Sequence, residues 1–190
     1  MPSAKYSQKR QDIIDTALRL FNQYGYVSVG VDRIIAESGV AKMTFYKFFP
    51  TKNDLIKETL ITRDQMIRET ITKAVHDIAI YDNSKTPHLD ALFNWYANWF
   101  NSEDFYGCMF IKANDEFVDS EDFNNIIRQH KDWLIHKIVD VLKKDNINAN
   151  EAMATQISLL LDGATINKSI YKNSDALSDS QNLISEILIN

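Results

Sequence analysis

The chain has few of the residues that staple or interrupt a fold: one cysteine (Cys108), three prolines and five glycines among 190 residues. A single thiol excludes an internal disulfide framework and suits a reducing compartment. The glycines (25, 30, 39, 107 and 163) are too scattered for a phosphate loop or a dinucleotide fingerprint. No apolar run approaches the roughly twenty residues that span a bilayer. The amino terminus, MPSAKYSQKR, lacks the apolar stretch of a secretory signal. No membrane partner is therefore expected, and the expected location is the cytoplasm.

Chemistry is scarce as well. His76, His88, His130 and His136 show no metal-ligand spacing, and the last two would stand about 120° apart on one helix. Asp115 and Glu116 are adjacent and point to different faces. Cys108 lies in an apolar run, where a lone cysteine is usually a small packed hydrophobe. No catalytic residue, metal or cofactor is expected, and the chain does not read as an enzyme.

Charge is unevenly distributed. The whole chain carries −5, yet residues 1–52 hold eight Lys/Arg against four acids, a net +4. The remainder holds thirteen against twenty-two, a net −9. A basic head on an acidic body suggests that the head meets a polyanion.

Helical periodicity dominates, and strand patterns are nearly absent. Ser7 is expected to cap a first helix with Ile13, Ile14, Ala17, Leu18 and Phe21 on one face, ended by Gly25. VDRIIAES (31–38) reads as a second helix closed by Gly39, and residues 41–49 as a third. Thr51 and Asp54 read as a capping box that opens a long helix to about Tyr81. A loop over 82–90 then leads to Thr86 and Pro87 as cap and first residue of the next helix. Further helices are expected after Gly107, from Asp119–Ser120 to Leu142, from a cap formed by Asn148 with Glu151 to about Asn173, and from about Asp175 to the end. The fold class is all-α with about nine helices: a three-helix head, then a larger body.

The third helix is the informative one. At about 100° per residue, Ala41 and Phe49 fall within about 40° of Phe45, while Met43 and Lys47 point to the opposite side. Thr44 and Tyr46 stand on the flanks. A helix so arranged fits a DNA major groove, where outward side chains reach base edges and flanking hydroxyls reach phosphates. A helix, a turn at Gly39 and this helix make a helix-turn-helix. Lys52, at the start of the long helix, suits a phosphate. A core hairpin with a solvated face is the competing reading of the spacing alone.

The stretches IIDTALRLFNQYGY, VDRIIAESGVAKMTFYKFF and TKNDLIKETL resemble the tetracycline-repressor (TetR) family of bacterial transcription regulators over about residues 7–67. The resemblance implies a helix-turn-helix DNA-binding domain over 7–67, with the motif at about 30–49. It implies a ligand-binding and dimerisation domain over 68–190. It assigns phosphate contacts to Thr44, Tyr46 and Lys52, base or phosphate contact to Lys47, and a helix-start lysine to Lys42. Met43 joins the DNA-binding set as an outward residue. The chain departs from the family pattern at Gly30, Ala41, Met43 and Phe48, which bears on operator sequence.

The resemblance also implies a homodimer on a palindromic duplex-DNA operator, released by a small-molecule inducer. Ligand-facing positions are expected among Tyr96, Trp99, Phe110, Asn114, Phe117 and Trp133. Dimer-facing positions are expected at Leu161, Ala164, Ile184 and Leu188. Two alternatives stay open: redox or electrophile sensing through Cys108, and a DNA-bound interaction module without an inducer.

Overall fold

The computed structural model describes residues 4–78, 84–172 and 174–189. Among them are nine α-helices and no strand: α1 (Ala4–Tyr24), α2 (Val31–Ser38), α3 (Lys42–Phe48), α4 (Lys52–His76), α5 (Pro87–Phe100), α6 (Met109–Glu116), α7 (Glu121–Lys144), α8 (Glu151–Tyr171) and α9 (Ala176–Ile189). None of these helices is long and apolar enough to cross a membrane. The expected helix ends near Tyr81 and Asn173, and the start of the expected loop at Asp82, lie outside the described residues.

The chain forms two compact units. One comprises Met1–Met66 with Cys108–Ile127; the other comprises Ile67–Gly107 with Arg128–Asn190. α6 and the first turns of α7 thus belong to the same compact unit as α1, α2 and α3.

In the first unit α1 packs on α2 and α3. Its expected stripe is buried at Ile13, Ile14, Ala17 and Phe21, joined by Leu20. Ser7 lies within α1 rather than at its cap, because the helix starts at Ala4. Gly25 takes φ +81, the left-handed conformation in which glycine escapes the Cβ penalty, and ends α1 as expected. Thr51 and Asp54 form the expected box: Thr51 Oγ1 accepts from the Asp54 N–H at 3.1 Å, and the Asp54 carboxylate accepts from the Thr51 N–H at 3.0 Å.

The second unit has a core of Ile71, Leu92, Tyr96, Leu134, Ile138, Leu161 and their neighbours. Here α8 packs along α9, and α5 also packs on α9. Thr86 and Pro87 open α5 as expected, but Thr86 makes no side-chain cap bond. The cap comes from Asp145, just past α7. Its fully buried carboxylate accepts from the His88 N–H at 3.0 Å and the Leu89 N–H at 2.9 Å. The His88 ring Nδ1 lies 2.6 Å from the same carboxylate. The cap of α8 is Asn150, whose side chain accepts from the Met153 N–H, rather than the expected Asn148 with Glu151.

Candidate nucleic-acid interface

α2 covers the predicted VDRIIAES residue for residue, and Gly39 follows it at φ +68. That left-handed residue turns the chain so that Val40 is buried and α3 starts at Lys42. Gly30 precedes α2 without a side-chain cap bond, as its lack of a hydroxyl requires.

α3 is anchored as its periodicity predicts. Phe45 is 0 % exposed and Phe49 3 %, with ring centroids 6.2 Å apart. The Arg10 guanidinium lies over the Phe49 ring and pairs with Glu58 at 2.8 Å, which ties α1 to the start of α4. Met43 is 85 % exposed. Lys47 is exposed as well, as is Tyr46, whose ring meets Phe45 edge-on at 5.3 Å. Thr44 is half-buried. Ala41 departs from the expectation of an inward residue. It is exposed because it is the N-cap, with extended backbone (φ −70, ψ 144), so its angular position on the helix does not apply.

Lys42 is exposed, and its Nζ pairs with Asp32 on α2 at 3.1 Å. Asp32 raises the Lys42 ammonium above the usual lysine value, chiefly through this hydrogen bond. Nearby, Glu37 accepts from Arg19 at 2.5 Å and Arg33 at 2.7 Å, and both hold its carboxyl below the usual range. The Arg33 guanidinium stacks over Tyr24 at 4.3 Å.

Lys52, the first residue of α4, is half-buried, and its Nζ donates to the Val27 carbonyl at 3.3 Å. Burial lowers its ammonium from the usual value, and the Glu116 carboxylate opposes that shift. Glu116, on α6, accepts from the N–H groups of Tyr26 at 3.1 Å and Val27 at 2.6 Å. A methyl group on Gly25 would meet Glu116 Oε1 at 2.8 Å, so the carboxylate sits hard against this turn. Lys112 Nζ donates to the Asn22 carbonyl at 2.6 Å, near the end of α1. The Tyr26 hydroxyl donates to the Met109 carbonyl at 2.9 Å, and burial pushes this phenol well above its ordinary value. Tyr26 also meets Phe117, which stacks on Phe123 at 4.2 Å.

Sequence reasoning missed this latch. Met109, Lys112 and Glu116 share one helix face by their 3–4 spacing. A Lys and a Glu four apart ordinarily read as a local surface pair. Their partners lie about ninety residues away along the chain.

The expected ligand residues divide between the two compact units. Phe110, Asn114 and Phe117 belong to the first unit; Tyr96, Trp99 and Trp133 belong to the second. Phe110 is fully buried and Asn114 is exposed. Tyr96 is 5 % exposed and meets Trp95, Trp99 and Phe100 edge-on, as core rings do. Trp133 lies beneath the Arg68 guanidinium at 5.0 Å. An open cleft of about 370 Å³ in the second unit is lined by Asp90, Phe93, Asn94, Leu177 and Gln181, among others. Cys108 is half-buried at the N-cap of α6. Among the described residues, no group of three or more His, Cys, Asp or Glu is placed to hold a metal.

The expected dimer residues pack within the single chain. Leu161, Ala164 and Ile184 are 0–2 % exposed within one chain, and Leu188 is half-buried against the same core. The exposed apolar residues of α8 and α9 are Leu159, Ile166, Ile170, Tyr171, Leu183 and Ile187.

A helix anchored by Phe45 and Phe49, turned outward at Met43, Tyr46 and Lys47, and preceded by a glycine turn has the form of a helix-turn-helix. Residues 13–59 match the model of the bacterial regulatory proteins of the tetR family. Residues 13–59 thus carry a domain of the tetR-family regulators. It is 33 % identical over 98 residues to the uncharacterised HTH-type transcriptional regulator YuxN of Bacillus subtilis, covering 52 % of this chain and 33 % of the relative. It is 37 % identical over 67 residues to the HTH-type transcriptional regulator LmrA of the same organism, covering 35 % and 36 %. The chain thus spans about a third of the length of these curated relatives. Among solved structures, it is similar to SCO4454, a TetR-family transcriptional regulator of Streptomyces coelicolor. That match has a TM-score of 0.85 and 25 % identity, and covers 96 % of this chain and 95 % of that one. The reduced form of E. coli NemR shares the fold at a TM-score of 0.82 and 18 % identity, covering 95 % and 98 %.

Proposed function

We propose that the protein is a homodimeric transcription repressor of the cytoplasm that holds a palindromic duplex-DNA operator and leaves it when a small molecule binds its body. The observation that carries this reading is α3, where Phe45 and Phe49 are buried and Met43, Tyr46 and Lys47 face outward. Such a helix docks in the major groove with its exposed side at the base edges. Thr44, Tyr46 and Lys52 take phosphates, Met43 and Lys47 meet bases, and Lys42 lies at the entry of the recognition helix. On this reading residues 7–67 are the DNA-binding domain and residues 68–190 bind ligand and dimerise.

α4 contributes residues to both compact units, which supports it as the element that carries a ligand's effect to Lys52. The open cleft between α5 and α9, about 370 Å³ and within the usual size for a small-molecule site, is our choice for the inducer. The coupling is reciprocal, so operator DNA weakens the ligand by the factor by which ligand weakens DNA. Selection from a pool of random duplexes should enrich a palindrome bound by two protomers. Enrichment of no sequence, or of one bound by a single protomer, would contradict the proposal.

The partner face we assign to the dimer is the exposed apolar set of α8 and α9. Ile170→Glu with Ile187→Glu should give a folded monomer by light scattering, with the helical circular dichroism retained, because both side chains are exposed in the single chain. Leu161→Glu should instead unfold the protein, since it buries a charge in the core of one chain. A double variant that stays dimeric at micromolar concentration would show that the partner face lies elsewhere.

A further inference from the structure

We infer that Asp32 and Lys42 act together as a base-reading pair, in which Lys42 takes guanine and Asp32 takes the cytosine of the same or the adjacent base pair. This inference rests on the DNA-binding reading of the head.

Asp32 is in the first turn of α2 and Lys42 is the first residue of α3, so the glycine turn brings two helix starts together. Their side chains meet at 3.1 Å, with 86 % and 65 % of their surfaces exposed. The fold therefore does not need the pair for its core. Lys42 stands next to Met43, the most outward residue of the recognition helix. The amino-terminal residues of a recognition helix are those that meet base edges. A carboxylate at that place is unfavourable beside phosphates unless it finds a donor. The major groove offers such donors at cytosine N4 and adenine N6, and cytosine N4 alone stands beside the paired guanine O6 and N7 acceptors that suit a lysine. A lysine and an acid in contact match that donor and those acceptors in one place. Where no base amino group meets it, Asp32 repels the phosphates and holds Lys42 back from them. The pair would then favour the operator and disfavour other sequences.

The test is binding by wild-type protein, Asp32→Ala, Asp32→Asn and Lys42→Ala to duplexes selected by the wild type, to single-position variants of them, and to random DNA over a salt series. Wild type should prefer G·C at one position per half-site. Asp32→Ala should reduce that preference about tenfold or more while leaving other positions unchanged. It should also bind random DNA more tightly, with a salt slope steeper by about 0.9 as Lys42 gains a phosphate. Asp32→Asn should shift the preference away from cytosine, because its amide is no longer a pure acceptor. Lys42→Ala should lose preference at the same position or its neighbour. If Asp32→Ala keeps every base preference of the wild type, the inference is overturned, even if random DNA binds more tightly. If the wild type enriches no sequence and Lys52→Ala leaves binding unchanged, the DNA-binding reading itself has failed, and this inference with it.

Discussion

Asp145→Ala is expected to lower the melting temperature by roughly 6–12 °C, from a loss of about 3 kcal/mol. The Asp145 carboxylate is fully buried and accepts from the backbone N–H groups of both His88 and Leu89. These are among the N–H groups at the start of α5 that have no partner within the helix. Thr86, which occupies the cap position, supplies no side-chain bond to them. Alanine would therefore leave donors buried without an acceptor, at about 1–3 kcal/mol each, and remove the partner of the His88 ring. Asp145→Asn keeps an acceptor oxygen and should recover part of the loss. Thermal unfolding followed by circular dichroism measures it. A shift under about 2 °C for Asp145→Ala would mean that water replaces the carboxylate and that this cap is dispensable.

Glu116→Ala should weaken operator binding about tenfold, although Glu116 is not a proposed DNA contact. Its carboxylate holds the N–H groups of Tyr26 and Val27, and the Val27 carbonyl in turn receives Lys52. Removing it would free the turn that places the Lys52 ammonium, our proposed phosphate contact. It would also cost about 2 kcal/mol of stability, because two backbone donors lose a charged acceptor. Val27 is 71 % exposed, so water repairs part of that loss. Glu116→Gln retains an acceptor and should fall between wild type and alanine. Fluorescence anisotropy on operator duplex gives the affinity, and circular dichroism confirms folding. Unchanged affinity in a folded Glu116→Ala protein would show that the turn keeps its shape without α6.

These two carboxylates also mark where the sequence stops being informative. Local patterns decide the head: Phe45 and Phe49 at i and i+4 set the buried side of α3, Gly25 and Gly39 end two helices, and Thr51 with Asp54 opens α4. Each of those depends on neighbours within a turn or two. Asp145 and Glu116 act on backbone 57 and about ninety residues away. Nothing in their own surroundings distinguishes them from solvated surface acids. The dimer residues show a second limit. α8 and α9 carry apolar residues on more than one face, and periodicity does not say which face meets the chain's own core. Leu161 and Ile184 lie in that core, whereas Ile170 and Ile187 remain outside. The ring-rich segment of α5 shows a third: rings at helical spacing read alike whether they fill a core or line a pocket. Tyr96 fills a core.

The most direct measurement of the central claim is the affinity of wild type, Lys52→Ala and Tyr46→Phe for selected and random duplexes across a salt series. Both variants should bind all sequences more weakly, because phosphate contacts position the protein without reading bases. Lys52→Ala should also reduce the steepness of the salt dependence by about 0.9, the share of one phosphate. If both variants keep the wild-type affinity and the wild-type salt slope, the assignment of this head to DNA is contradicted.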